Sequence, residues 1–201
     1  MDGISQQLQD LTGARNGEPY GIVNSDSWDL ISFGPCSNRM PDPETQPKAA
    51  KKLRVWVDPW APENDERAQA YYSGDRNERL RMLTISMGWV CTHAYAVTWQ
   101  GAMRLLYNIG GEGHGLDQPV DLLMQEQMRR GLLKSYATQP KVVSQWKVQD
   151  WRDTDIQPPQ DQNFDPSNLG SDPSIVRSVR MEIMKASSNR NIWEEIESEE
   201  T

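Results

Sequence analysis

The stretch CTHAYAVTWQGAMRLLYNIGG, Cys91–Gly111, sets an alternating run directly against an amphipathic one. From Val90 to Thr98 the side chains divide into two faces, with Cys91, His93, Tyr95 and Val97 on one and Thr92, Ala94 and Ala96 on the other. Neither face carries a full charge, which predicts a strand covered on both sides. Thr98 is a capping residue, and Ala102, Leu105, Leu106 and Ile109 then recur at i, i+3, i+4 and i+7, the spacing of a helix with one buried stripe. No glycine-rich phosphate loop and no evident nucleophile separates the two. The unit therefore reads as α/β scaffold that delivers whatever follows it to the mouth of a cleft.

Working outward, Gly110, Gly111, Gly113 and Gly115 make a flexible turn, and Pro119 opens a second helix buried through Val120, Leu123, Met124 and Met128 and stopped by Gly131. A strand over Leu132–Ala137 leads to Pro140. Upstream, Ile4, Leu8 and Leu11 share one face of a short helix. Ser27–Gly34 and Leu53–Asp58 read as strands, and Arg76–Ile85 suits either helix or strand. Pro35–Pro47 is a long loop. From Gln157 onward the chain is polar and proline-rich, with a short helix starting at Asp172-Pro173 and an acidic end. The pattern predicts a mixed α/β fold with long irregular loops, a domain over 1–156 and a loose tail over 157–201.

Composition narrows the partners. The 201 residues carry a net charge of −8, which argues against nucleic acid and anionic membrane surfaces. No run approaches the roughly 20 apolar residues of a membrane span, and Asp2, Gln6, Gln7 and Asp10 interrupt any signal-peptide core at Met1. With two cysteines, Cys36 and Cys91, either one bridge or a pair of buried free thiols is open.

Few constellations carry chemistry by themselves. Cys91 and His93 supply only two metal donors, His114 is the sole other histidine, and no C-x-x-C occurs, so zinc is not expected. The GGEGHG run at Gly110–Gly115 follows a helix instead of preceding one, which suits a hinge and not a phosphate cradle. In DQPVD, Asp117 precedes a helix and Asp121 falls in its first turn. Stabilisation by the helix N-terminus, about 0.3–1 kcal/mol, is enough to account for both. The sharper alternative makes Asp121 an acceptor anchor or general base at the open end of a sheet. Asp153 and Asp155 form an Asp-x-Asp pair that could hold a divalent cation against a diphosphate, or simply a solvated turn.

Three segments, CTHAYAVTWQGAMRLLY, QPVDLLMQEQMRRGLLKSYATQP and SQWKVQDWRDTDI, together resemble fungal members of glycosyltransferase family 25, the lipopolysaccharide-type glycosyltransferases. WDLISFGPC stands where that family carries a WD-x-x-x-x-G-x-C segment, and the resemblance runs from about Tyr20 to Ile156. It implies a GT-A-like, Rossmann-like mixed sheet flanked by helices, a UDP-sugar donor (often UDP-galactose), a glycan acceptor, inversion at the anomeric carbon, and a divalent metal, Mn2+ or Mg2+. Asp121 matches the P-[VI]-D position and is the expected catalytic carboxylate. Tyr95, Thr98 and Gly101 match a Y-x-[VI]-[ST]-x-x-G-A stretch expected to be architectural. Asp117, Tyr95 and Trp146 are expected on the acceptor side or in the framework, and Asp153 and Asp155 at a metal.

Two departures stand out. The family's N-terminal nucleotide-binding segment, with its acidic metal motif, has no counterpart here, and Lys141 replaces a proline of the PP-x-x-Q-W element. The expectation is therefore a partial member of the family, active only if donor binding survives. The alternative is a non-catalytic glycan-binding or interaction module that keeps a tryptophan-rich surface at Trp89, Trp99, Trp146 and Trp151. The resemblance also implies a Golgi or endoplasmic-reticulum lumen, in the absence of a targeting signal that would exclude the cytoplasm, and it favours a Cys36–Cys91 bridge.

Overall fold

A computed structural model describes residues 2–12, 27–63, 65–75, 77–110 and 118–144. In chain order the elements are α1 (Asp2–Thr12), β1 (Leu30–Ser32), β2 (Ser37–Asn38), α2 (Pro47–Ala50), β3 (Leu53–Val57), α3 (Glu66–Gln69), β4 (Leu80–Ile85), β5 (Trp89–Val90), β6 (Tyr95–Val97), α4 (Trp99–Gly110), α5 (Val120–Arg129) and β7 (Ser135–Gln139). They form an α/β fold built on a mixed five-stranded sheet of order β3-β4-β7-β1-β6, with a two-stranded ladder, β2-β5, beside it. Strands β1 and β7 run parallel, Leu30 opposite Ser135, and the other neighbours in the large sheet are antiparallel.

Helices cover both faces of that sheet because its inner strand β1 is apolar on both. Consecutive strand residues point to opposite sides, and β1 uses this directly. Leu30 joins Trp89, Ile109, Met124, Met128, Leu133 and Ala137 under α4 and α5. Ile31 joins Leu8 of α1, Trp28 and Leu83 on the other side, against partly buried Trp56 and Tyr136. Each of these large apolar side chains, taken fully out of water, contributes about 1.5–3 kcal/mol before entropy is counted. A third cluster, Ala68, Leu80 and Met82, seats the short α3 against the β4 end of the sheet. Among the described residues no helix is long and apolar enough to cross a membrane.

The run around Cys91 is not one strand. It is broken into β5 and β6 by a turn in which Cys91 takes a φ of 71°, an uncommon left-handed conformation for a residue with a side chain. Nor is the second piece covered on both sides: β6 is an edge strand, and Tyr95 and Val97 are exposed. Periodicity over nine residues does not register a single reversed φ, so the alternation survives while the strand does not.

The helix after it starts as expected, with Thr98 Oγ1 accepting from Gly101 N–H at 3.0 Å. Its buried stripe is rotated, however. Gly101 and Ile109 are inside and Leu105 is partly buried, but Leu106 is 73% exposed, on the same side as Trp99, Met103 and Tyr107. The helix turns inward the side that carries its glycine because that is where the backbone of β1 approaches. In α5, Met124 and Met128 are core while Val120 is exposed, and Pro119 caps the helix instead of occupying its first turn. Gly131, with φ of 73°, ends it. The ambiguous 76–85 segment contains β4, and the strand expected over Leu132–Ala137 lies two or three residues later, as β7.

Two predictions come from this packing. A Cβ added at Gly101 would stand 2.5 Å from the Asp29 carbonyl oxygen, whereas one at Gly110 meets nothing within 4 Å. Gly101→Ala should therefore lower unfolding free energy by about 3 kcal/mol, and Gly110→Ala should cost nothing, both read from urea midpoints at constant m-value. Burial pushes the Tyr136 phenol above its usual range. Both states are protonated at neutral pH, and above about pH 10 the unfolded chain loses its proton first, so stability falls as pH rises towards the folded pKa. Tyr136→Phe should flatten that alkaline loss in denaturation curves recorded across the same range.

Candidate functional site

Three of the segments quoted for the family resemblance, 28–36, 91–107 and 118–140, are joined by hydrogen bonds and a disulfide, and several of their positions do structural work. Asp29 is almost fully buried. One of its carboxylate oxygens pairs with the Arg104 guanidinium from α4, and the other accepts from the Lys134 N–H at 2.7 Å, just before β7. Its backbone is engaged as well: the N–H donates to Lys134 O at 2.8 Å, and its carbonyl accepts from Thr98 N–H at 3.0 Å. One residue thus ties β1 to β7 and to the start of α4. Gly101 is required because α4 lies directly on that carbonyl. Gly34 is required for the same kind of reason, since a Cβ there would be 2.5 Å from the Val143 carbonyl oxygen and 3.0 Å from the His93 Cβ.

Cys36 and Cys91 are bonded, with Cα atoms 5.5 Å apart, so the reading of two free thiols is set aside. The bridge staples the end of the β2–β5 ladder, where Cys36 N–H already donates to the Val90 carbonyl at 3.0 Å. Directly behind it stands Asp121. Its Oδ2 accepts from the Cys91 N–H at 2.9 Å and its Oδ1 from the Leu122 N–H at 3.0 Å. The carboxylate at the start of α5 therefore holds the left-handed Cys91 turn in place while remaining partly exposed.

Cys36 of the disulfide also lines an open cleft of about 430 Å³. Cys36, Ser37 and Asn38 wall it where the chain leaves β1, Thr138, Gln139 and Pro140 where it leaves β7, and Asp65 and Arg67 at α3. Because β1 and β7 are parallel, this is the crevice beyond the carboxyl ends of neighbouring strands, where open α/β sheets place ligands. One lining residue, Pro140, is held by Arg81, buried within β4, which pairs with Asp58 at 2.5 Å and donates to the Pro140 carbonyl at 2.6 Å. The Oε1 of Gln139, a residue 8% exposed, lies in the wall without a hydrogen-bond partner. Arg104, Arg81 and Asp58 were not singled out from sequence, and Asp29 entered only as a letter of the WD-x-x-x-x-G-x-C segment. The one available signal was an arginine inside the apolar run LRMLTI, which needs an acid close by when buried.

The remaining expected site residues divide. Tyr95 lies on the exposed edge strand and tilts against Trp89, ring centroids 5.9 Å apart. Trp89 itself is fully buried, its indole N–H donating to Ser135 Oγ at 3.0 Å, so it belongs to the core and not to a sugar-binding surface; Trp99 is 76% exposed. Asp117, Trp146, Trp151, Asp153, Asp155 and the glycine turn at 111–115 lie outside the described residues. Among the described residues the group of three candidate metal donors is Cys36, Cys91 and His93. That set does not fit the hard Mn2+ or Mg2+ ion that the resemblance implies, since such ions take oxygen ligands. No catalytic step is therefore routed through a metal.

Compared with family models, curated proteins and solved structures, the chain matches none.

The staple has a measurable consequence. A bridge spanning 55 residues of sequence restricts the unfolded chain by about 4 kcal/mol in the loop-entropy account. Reduction in the presence of a chelator should lower the urea midpoint by a corresponding amount, and Cys36→Ser should lower it equally.

Proposed function

We propose that this chain handles saccharides as the acceptor side of an inverting UDP-sugar glycosyltransferase, with UDP-galactose as the expected donor. The observation that supports it most is that the WDLISFGPC and PVD segments meet through the Cys36–Cys91 bridge, with Cys36 lining a polar cleft and the partly exposed Asp121 carboxylate accepting from the Cys91 N–H. A cleft lined by Ser37, Asn38, Thr138 and Gln139 suits a ligand dense in hydroxyl groups.

In this reading Asp121 serves the acceptor hydroxyl as base. The hydroxyl oxygen forms a bond to the anomeric carbon as the bond to the UDP oxygen breaks. Its proton passes to the Asp121 carboxylate, and the electron pair leaves with UDP. Fixing the carboxylate by two backbone N–H groups orients it before substrate arrives, which lowers the entropic barrier.

The same two contacts favour a second reading, a non-catalytic glycan-binding module, because they give Asp121 a complete structural role without any chemistry. Calorimetric titration with UDP-galactose and UDP, with and without manganese, separates the two when combined with a glycan array. Donor binding together with a fall of at least about 100-fold in transfer for Asp121→Asn supports the enzyme. Full transfer by Asp121→Asn excludes Asp121 as base. Saccharide binding with no dependence on UDP supports the module, and a folded protein that binds neither donor nor glycan removes both.

A further inference from the structure

The two metal donors visible in sequence, Cys91 and His93, gain a third in the fold. The ligand atoms of Cys36, Cys91 and His93 all lie within 4.8 Å of one another. We propose that these three side chains form a redox-gated site for zinc, closed while the disulfide stands and open once a dithiol reduces it. The inference does not depend on the transferase reading.

The ligand chemistry selects the ion. Two thiolates and an imidazole suit zinc, whereas magnesium, manganese and calcium take oxygen donors. Zinc–sulfur bonds of about 2.3 Å at tetrahedral angles put neighbouring ligand atoms about 3.5–3.8 Å apart. Donors already within 4.8 Å reach that spacing by side-chain rotation. Three protein donors leave one tetrahedral position for water or a ligand atom, the arrangement of zinc sites that react and not of those that only brace a fold. Cys36 is exposed and lines the cleft, so both a reductant and an ion can reach it from there.

What makes the site more than a chance cluster is that its backbone is held without the sulfur–sulfur bond. Cys36 N–H is bonded to Val90 O at 3.0 Å, next to the β2–β5 ladder. Cys91 N–H is bonded to Asp121 Oδ2 at 2.9 Å. His93 is packed against Gly34, where the close approach of its Cβ leaves room for hydrogen alone. When the bridge opens, these contacts keep the three donors facing one another, which is the pre-organisation that a metal site needs.

The chemistry balances. A dithiol reductant passes two electrons and two protons to the disulfide, becomes a disulfide itself, and leaves Cys36 and Cys91 as thiols. A zinc ion then replaces both thiol protons, which go to buffer, and the pair of thiolates neutralises its charge. Oxidation reverses the sequence and expels the ion.

The test uses the full chain, reduced and then freed of reductant without air, and titrated with cobalt(II) and zinc(II) alone. The expected result is stoichiometric uptake by the reduced form, with sulfur-to-cobalt charge-transfer absorption and release of about two protons per zinc. The oxidised form should take up none. Cys36→Ser should abolish the charge-transfer band's two-thiolate intensity. His93→Gln, whose oxidised form keeps the bridge, should weaken zinc binding by at least about tenfold, since even outer partners of a metal ligand are worth that much. If reduction unfolds the chain, zinc should restore its circular dichroism. Absence of uptake by a folded reduced protein, uptake unchanged in Cys36→Ser and His93→Gln, or failure of zinc to refold a reduced unfolded chain would each overturn the proposal.

Discussion

The buried carboxylate of Asp29 is the interaction on which the remaining architecture depends. An ionised group taken out of water costs several kcal/mol unless paired and hydrogen-bonded. Arg104 and the Lys134 N–H meet that requirement, and each arrives from a different element. Satisfying one charge therefore forces α4 and the start of β7 to meet at the start of β1. The parallel register of β1 with β7 follows from it, since the Asp29 and Leu30 N–H groups both point at the Lys134 carbonyl. Arg104 keeps its head partly in solvent, so its own desolvation stays small while it neutralises a group that has none. The parallel pair then decides where the cleft opens, because a crevice beyond two carboxyl ends exists only where two strands run the same way.

A second buried charge holds one wall residue of that cleft, Pro140. Arg81 lies in β4, where alternation would allow an apolar residue, and its side chain spans from Asp58 after β3 to the carbonyl at the end of β7. The guanidinium can make both contacts because its donors form a fixed planar fork. A lysine would have the charge but not the geometry. The two charged anchors, Asp29 and Arg81, sit on opposite sides of β7, one before its first residue and one after its last. The short strand at the centre of the molecule is held at both ends by polar contacts and along its length by apolar ones.

Much of this was legible in the residues and some of it could not be. Thr98 was recognisable as a cap because capping is local, a side chain reaching a backbone three residues on. The core role of Met124 and Met128 followed from helical spacing for the same reason. The helix and strand boundaries missed were those set by distant contacts. Leu106 fits the apolar stripe of α4 by spacing, yet it faces solvent because Gly101, not the leucines, marks the side that meets β1. The break between β5 and β6 comes from Cys91, whose reversed φ is maintained by a disulfide to a residue 55 positions away and by a carboxylate from α5. At the candidate site Asp121 was picked out from its place at a helix start together with its match to the P-[VI]-D position, and Asp29 entered only as a letter of the WD-x-x-x-x-G-x-C segment. Its pairing and that of Arg81 were not foreseen, since partners 75 and 23 positions distant leave no periodic trace.

Asp121 shows why a conspicuous carboxylate does not by itself identify a catalyst. Its two oxygens each accept one backbone N–H, and one of those bonds holds a backbone conformation that a side-chain-bearing residue adopts at some cost. A carboxylate oxygen has about two acceptor sites, so each retains one after its backbone contact. The residue can therefore brace the Cys91 turn and still receive a proton from a substrate hydroxyl. If it did, the turn would feel the change, because a protonated carboxyl is a weaker acceptor for the Cys91 N–H than a carboxylate. The disulfide offsets that weakening: it fixes Cys91 covalently whatever the charge on Asp121. Under the proposed transferase reading, a staple at this position is what would let a single carboxylate hold that turn and accept a substrate proton without releasing it.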